Sequence, residues 1–204
     1  SYAKEKVITE QTKKDCKNIY ALTHSMCEDI LETFSKFNGL KSTSLRLSNG
    51  YGYPKLKSCD CWWLVINDFC SNTEKNNEIK INSDGSPLRD FIHISDIALT
   101  VEKILLTKKE IPTVMNLCSG KTISMLEIAD IVQKKSIIIN KSPILYVKGK
   151  KINKKNLAKK IKVIKNKSRF KISNKEMIKL NIIPKINISK GIEKTLLEIK
   201  EKNN

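Results

Sequence analysis

The sequence predicts an α/β fold organised on a parallel sheet. An amphipathic helix from about Ile19 to about Phe37 closes at Asn38-Gly39, and a strand follows at Lys41–Leu47. Helix, short turn, strand is the order of a βαβ repeat. A second helix, opened by Ser95 or Asp96 and running to about Leu106, is followed by a buried strand at Thr113–Cys118. The chain has 204 residues, 40% of them apolar, enough for one domain or one and a half with a real core.

Each element has a local reason. Residues 2–15 are polar and charged and read as loop, with a short apolar patch at Val7-Ile8. Asn18 precedes the first helix and can cap it. Ile30, Leu31, Phe34 and Phe37 give that helix an apolar face, which must pack on something large. Gly39 suits a left-handed cap. After the Lys41–Leu47 strand comes Asn49-Gly50-Tyr51-Gly52, whose two glycines permit a turn or a close approach to a ligand. Residues 58–73, with Trp62, Trp63, Val65, Ile66 and Phe69, read as helix and as the aromatic centre of the chain. Ile79–Asn82 alternates as a strand does, Ser83–Pro87 is a turn, and Phe91–Ile94 is a short apolar strand or turn. Ser124 caps a helix to Val132, with Glu127 completing a capping box. Ile137–Ile139 and Ile144–Val147 are predicted strands. Residues 148–169 read as a solvated, loosely ordered stretch or an exposed helix. Ser173 is expected to cap a helix over 174–180, and Ile188–Lys200 forms a last amphipathic helix.

The formal net charge of +18 raises nucleic acid or an anionic membrane surface as a partner. The lysines accompany many Asn and Ile residues and are densest from Lys148 to Lys171, so compositional bias accounts for them as well as a binding patch does. No helix-turn-helix, zinc-finger spacing or aromatic-rich basic strand points to nucleic acid, which is not expected as a partner. Cys59 and Cys61 have no second pair and no nearby His, so no metal site is expected. The scattered thiols suit a reducing, cytoplasmic setting. No apolar run is long enough to span a membrane, no signal peptide is visible, and no membrane is expected as a partner.

Tyr20 and His24 lie four apart on the first helix and so share a face. A phenol beside an ionisable partner can act as a general acid/base if its pKa falls from about 10 towards neutrality. The spacing equally fits an amphipathic helix that starts with a Tyr.

The order of motifs decides between these. Tyr20-x-x-x-His24 is followed by Leu45-Arg46-Leu47-Ser48-Asn49-Gly50-Tyr51-Gly52, then Ser83-Asp84-Gly85, Arg89-Asp90-Phe91-Ile92-His93 with Asp96, Met115-Asn116-Leu117 with Ser119-Gly120, and Phe170-Lys171-Ile172-Ser173 before the last helix. The ordered set resembles the extended short-chain dehydrogenase/reductase family in its NAD-dependent nucleotide-sugar epimerase/dehydratase branch. That family has Tyr-x-x-x-Lys at the first motif and Arg-x-x-Asn-x-Tyr-Gly at the second. The resemblance covers nearly the whole chain and is poorest over 134–169.

The resemblance implies the C-terminal part of a Rossmann-like parallel sheet with helices, plus a small α/β substrate-binding domain. Residues 1–52 would form a truncated cofactor-binding part to which 89–118 return, and 53–88 with 119–204 the substrate-binding part. It implies NAD or NADP, a nucleotide-sugar substrate, and a homodimer through the helix from Ile19. Tyr20 would be the general acid/base, and His24 a cofactor-ribose contact that modulates it. Leu47 and Ser48 would line the nicotinamide through backbone groups, Asn49 would contact the sugar nucleotide, and Arg89 would clamp its pyrophosphate. Read by themselves, Tyr20 could be a core Tyr, His24 a surface His, Asn49 a turn residue and Arg89 an ion-pair partner of Asp90. His93 and Asp96 are read as structural, and Trp62 and Trp63 as core or pocket wall.

Two departures stand out. No group among the seven glycines makes the family's Gly-rich cofactor fingerprint. The family's catalytic Ser or Thr would fall just upstream of Ser1 if Tyr2 is the tyrosine of its Val-Tyr-Gly motif. Together with a first residue that is not Met, this leads to the expectation of the C-terminal part of an enzyme, completed by a separate N-terminal half. The second departure is His24 in the Lys position. A His with its ordinary pKa near 6.5 is mostly neutral at pH 7, and each pKa unit of Tyr activation is worth about 1.4 kcal/mol. An epimerase is the expected activity. A 4-keto reductase of the same family, or a non-catalytic remnant or subunit of a split enzyme, are the alternatives.

Overall fold

The computed structural model describes residues 6–203 apart from Lys57 and Lys167, so Ser1 and Tyr2 lie outside the described residues. The order is β1 (Val7–Ile8), α1 (Ile19–Asn38), β2 (Ser44–Leu47), β3 (Asn49–Tyr51), α2 (Val65–Asn76), β4 (Glu78–Ile81), β5 (Leu88–His93), α3 (Ile94–Leu106), β6 (Val114–Leu117), β7 (Thr122–Ser124), α4 (Met125–Lys135), a 3-10 turn (Ser136–Ile139), β8 (Ile144–Val147), β9 (Lys150–Ile152), α5 (Lys154–Lys165), β10 (Lys171–Ile172), α6 (Lys175–Lys179) and α7 (Ile188–Asn203).

The predicted α/β class is what the chain forms. β2 pairs with β6 in parallel, Leu45 opposite Met115, and β3 pairs with β5 in parallel, Asn49 opposite Phe91. β4 pairs with β8 in parallel, and β1 with β10. Two antiparallel pairs, β5–β7 and β8–β9, extend these ladders. Only Ser48 separates β2 from β3, and its N–H still bonds Leu117 O at 3.0 Å. The chain therefore changes sheet partner, from β6 to β5, within one residue. Such a switch is where α/β folds open a crevice for ligands.

The main core joins α2, α4, α5 and α7 to β4 and β8 through fully buried Ile66, Ile79, Leu126, Ile128, Leu145, Ile192 and Leu196. A smaller cluster of Met115, Met177 and Ile182 seats α6 under β6. The capping box is present: Ser124 Oγ accepts from the Glu127 N–H, and Glu127 Oε2 accepts from the Ser124 N–H.

Several expectations are corrected. Val7-Ile8 is a strand rather than loop, because β10 satisfies its backbone and Ile8 is buried. Residues 58–64 are not helical; the helix starts at Val65, while Trp62 packs on Tyr53 against the core and Trp63, though exposed, stands in a cavity wall, as expected of the pair. α3 is capped by the His93 side chain, whose Nδ1 accepts from the Ser95 N–H, rather than by Ser95 or Asp96. Ile137–Ile139 belongs to the 3-10 turn, closed by Asn140 in the left-handed region. Within 148–169 the helix alternative is the one that forms: α5 spans Lys154–Lys165, mostly exposed, with Leu157, Ile161 and Ile164 buried on one face. No described residue of α1 is buried, so its apolar face packs on nothing within the described residues.

Candidate functional site

A cavity of about 1190 Å³ opens where β2 passes into β3. Its wall takes Leu47, Ser48, Asn49, Gly50 and Gly52 from that crossing, Tyr20 from α1, Arg89 and Asp90 from β5, and Arg169 and Phe170 from the segment before β10. Five of the six residues expected at a site thus share one wall: Tyr20, Leu47, Ser48, Asn49 and Arg89. The sixth, His24, is exposed and does not line the cavity. It lies edge-on to the Tyr20 ring, with centroids 4.3 Å apart.

α1 is placed by charge rather than by packing. Arg46 on β2 donates from Nε and Nη2 to the two carboxylate oxygens of Glu28, at 3.0 and 2.8 Å, and from Nη1 to Glu10 O at 2.8 Å. Lys14 also reaches Glu28, at 3.3 Å, and Asp29, at 2.8 Å. The Arg46 bonds hold the Glu28 carboxyl below the usual carboxylate range, against the opposing effect of its partial burial. Glu28 lies two helical turns beyond Tyr20, so this pair fixes the height and rotation of Tyr20 over the β2–β3 crossing.

β5 supplies the next layer. Buried Asp90 accepts from the N–H groups of Ser119 and Lys121, each at 2.9 Å, which pins the turn after β6 against β5. Burial raises the Asp90 carboxyl above its ordinary range, and these N–H groups with the nearby Ser48 hydroxyl oppose the rise. Ser48 Oγ is buried near the Asp90 carboxylate, with no partner at hydrogen-bond geometry among the described residues. Asn49 Nδ2 donates to Asp90 O at 2.9 Å, so Asn49 is fixed at the rim. Arg89 pairs with no carboxylate among the described residues; it donates to Leu88 O at 2.9 Å, and the expected alternative pairing with Asp90 does not form.

Gly52 shows why a glycine stands there. Its φ is +133°, and a Cβ would lie 2.7 Å from Ile94 Cγ2. Asn67 brackets it, accepting from the Gly52 N–H at 2.9 Å and donating to Gly52 O at 3.0 Å. His93 and Asp96 are structural, as expected: Asp96 accepts from the N–H groups of Lys185 and Ile186 at 2.9 and 3.0 Å. His93 is buried, and its pKa is lowered to about 4, first by desolvation and then by the Lys194 charge.

Sequence reasoning missed Glu28, Arg46 as its partner, Asn67, and Arg169 with its bonds to Glu127 at 3.0 and 2.9 Å. Asn67 shares the buried side of α2 with Ile66, Phe69 and Cys70, a signal readable only once the phase of the helix is known. Arg169 carried none, because its partner is 42 residues away. Among the described residues no group of His, Cys, Asp or Glu could hold a metal, all six cysteines are free, and no helix is long and apolar enough to cross a membrane.

A parallel α/β scaffold with a crevice at a change of strand partner defines a nucleotide-binding class of fold. Residues 1–118 match the NAD dependent epimerase/dehydratase family, more than half of the chain, and the protein belongs to that family. A Methanocaldococcus jannaschii protein assigned as a UDP-glucose 4-epimerase is 30% identical over 114 residues, which cover 56% of this chain and 36% of that protein. The UDP-glucose 4-epimerase of Thermotoga maritima, solved with UDP-glucose, superposes with a TM-score of 0.74 at 18% identity, covering 96% of this chain and 58% of its own. The UDP-glucuronic acid 4-epimerase of Bacillus cereus, solved with NAD, gives 0.74 at 20% identity, covering 98% and 57%. At these identities the structures share the Rossmann-like fold. The chain spans little more than a third of the M. jannaschii relative and under six-tenths of the two solved epimerases.

Proposed function

We propose that the chain carries the tyrosine and substrate side of a nicotinamide-dependent nucleotide-sugar 4-epimerase. The observation that carries this reading is the single wall formed by Tyr20, the Leu47–Gly52 crossing and Arg89 around one cavity. Residues 1–52 and 89–118 make the cofactor side in this reading, and 53–88 with 119–204 the substrate side. Epimerase is preferred over reductase or dehydratase because the M. jannaschii relative, 30% identical over 114 residues, carries the 4-epimerase name.

The residues suit one end of a nicotinamide dinucleotide. A buried hydroxyl at Ser48 without a hydrogen-bond partner among the described residues, a backbone crossing exposed to the cavity, and a phenol on its rim are what a carboxamide and a ribose edge require. A nicotinamide held there by Tyr20, Leu47 and Ser48 would supply reversible hydride transfer at the sugar carbon. Tyr20 Oη takes the proton from the sugar hydroxyl and later gives it back. Arg89, with one N–H spent on Leu88 O, has donors remaining for two phosphate oxygens. Asn49, with one amide hydrogen spent on Asp90 O, keeps its carbonyl oxygen for a sugar hydroxyl. The dinucleotide's pyrophosphate has no Gly-rich cradle in this sequence, and in this reading a complementing βαβ half supplies it.

A second reading, binding without turnover, is favoured by His24: it stands in the Lys position yet lies outside the cavity wall. The chain, produced with a Gly-rich half from a family member, is assayed for interconversion of nucleotide-hexose C4 epimers. Expected results are turnover, its loss by about 100-fold or more in Tyr20→Phe, and a gain in His24→Lys. Unchanged turnover in Tyr20→Phe sinks the catalytic assignment. Nucleotide-sugar binding with no turnover in either His24 form supports the second reading.

A further inference from the structure

Residues 131–175 hold sixteen of the 39 Lys and Arg residues and none of the 21 Asp and Glu residues. The other 159 residues are therefore close to neutral, with 23 cations against 21 anions. A uniform compositional bias does not produce that segregation, so the charge is a property of one segment.

The fold turns the segment into a surface. The β8–β9 hairpin exposes Lys148, Lys150 and Lys151 and leads through Asn153 directly into α5. Leu157, Ile161 and Ile164 point α5 at the core. By helical period, Lys155, Lys159 and Lys162 then stand on the opposite, outer side. Every lysine from Lys148 to Lys165 is exposed, and none is ion-paired among the described residues. The lysines just outside this patch are tied down, Lys134 to Asp130 and Lys135 to Glu193.

We propose that the β8–β9 hairpin and the outer face of α5 form a docking surface for an anionic phospholipid membrane. Charge complementarity argues for an anionic surface, and side-chain chemistry separates lipid from nucleic acid. Base stacking needs an exposed ring, but the segment's two aromatics, Tyr146 and Phe170, are half-buried. Base reading favours a bidentate Arg, and the segment's one Arg, Arg169, is spent on Glu127 and Thr122 O. What remains is an array of point charges with exposed Val163 on the outer half of the helix, the pattern of a polybasic lipid contact. The apolar face of α5 is committed to the core, so attachment is peripheral, reversible and salt-sensitive, without insertion.

The full chain is sedimented with vesicles of phosphatidylcholine alone and with vesicles containing roughly a third phosphatidylglycerol, at low salt and at about 0.5 M salt. The expected result is binding to the anionic vesicles only, lost at high salt. Each neutralised lysine is expected to weaken partitioning about fivefold, so Lys155→Gln/Lys159→Gln/Lys162→Gln should bind about 100-fold more weakly. The same charge removed at Lys13, Lys41 and Lys108 should change it by less than about tenfold. Circular dichroism confirms that both variants are folded. Equal losses in the two variants, absence of binding to anionic vesicles at low salt, or tighter binding to a single-stranded RNA than to the vesicles would each overturn the proposal. None of these readouts depends on turnover, so they stand apart from the epimerase reading.

Discussion

Arg46 gives Glu28 two hydrogen bonds in a fork, and the side chains of the pair are 15% and 18% exposed. Removing Glu28 takes two hydrogen bonds and the countercharge from a guanidinium that is only 15% exposed, which costs about 2 kcal/mol. Glu28→Ala should therefore lower the urea midpoint and, in the complemented enzyme, reduce kcat through misplacement of Tyr20 more than it raises KM. A stability loss with kcat unchanged would show that the pair only holds the fold. The sign of the pH effect follows from the lowered pKa of Glu28. Its contribution is present above the ordinary carboxylate value near 4.3 and is lost as pH falls through the lowered folded value. His93 acts in a different window. Its folded pKa of about 4 lies below the ordinary value of about 6.5, so the unfolded chain takes up the proton first. Stability is then full above about 6.5 and falls by about 3 kcal/mol as pH drops through 4. Urea unfolding at about pH 7 and pH 4.5 measures this. A His93→Asn chain, which keeps a capping side chain, should show a flatter profile, and an equally steep one would assign the effect to other groups.

At the scale of elements, what the sequence made legible followed local rules. The Asn18 cap, the left-handed Gly39 and the Ser124–Glu127 capping box are all contained within a few residues, and all are present. What was illegible depends on distant partners. Val7-Ile8 becomes a strand only because Lys171-Ile172 lies beside it. Ile137–Ile139 has strand-like side chains but pairs with no strand among the described residues, and it coils into a 3-10 turn. The site divides in the same way. The Tyr20 and Leu47–Gly52 stretches were readable as motifs, whereas the Glu28–Arg46 lock joins residues 18 apart and has no motif. The packing of α7 on β3 is a further long-range case. Gly191 sits where an added Cβ would be 2.0 Å from Tyr51 Oη. Alanine normally stabilises a helix by about 1 kcal/mol over glycine, but overpacking a locked ring costs more, about 1–3 kcal/mol. The Tyr51 hydroxyl is buried without a partner among the described residues, so Tyr51→Phe should cost little. Gly191→Ala should lower stability by about 2 kcal/mol in denaturant unfolding and by less in the Tyr51→Phe background. Strict additivity would mean the two side chains do not collide.

For the whole molecule, α1 carries an apolar stripe that nothing covers among the described residues. Ile19, Leu22, Met26, Ile30, Phe34 and Phe37 are each at least 49% exposed and fall on one stripe of the helix. Glu28 lies on the opposite side, turned to Arg46, so the polar side faces the body of the chain and the apolar stripe faces away. A shallow cavity of about 330 Å³ already lies along the stripe between Met26, Ile30 and Phe34. A stripe of this length is too large to leave in water, and a second copy of α1 is the partner whose period and length match it. The chain is therefore expected to form a twofold dimer through α1, with the two Tyr20 sites on its flanks. Sedimentation velocity on the chain with its complementing half, at tens of micromolar, should give the mass of a pair. Ile30→Lys/Phe34→Lys should give a folded species of half that mass, because two charges facing their symmetry mates repel across an apolar contact. A single-copy mass for the natural sequence across that range would mean that something other than a second copy covers the stripe.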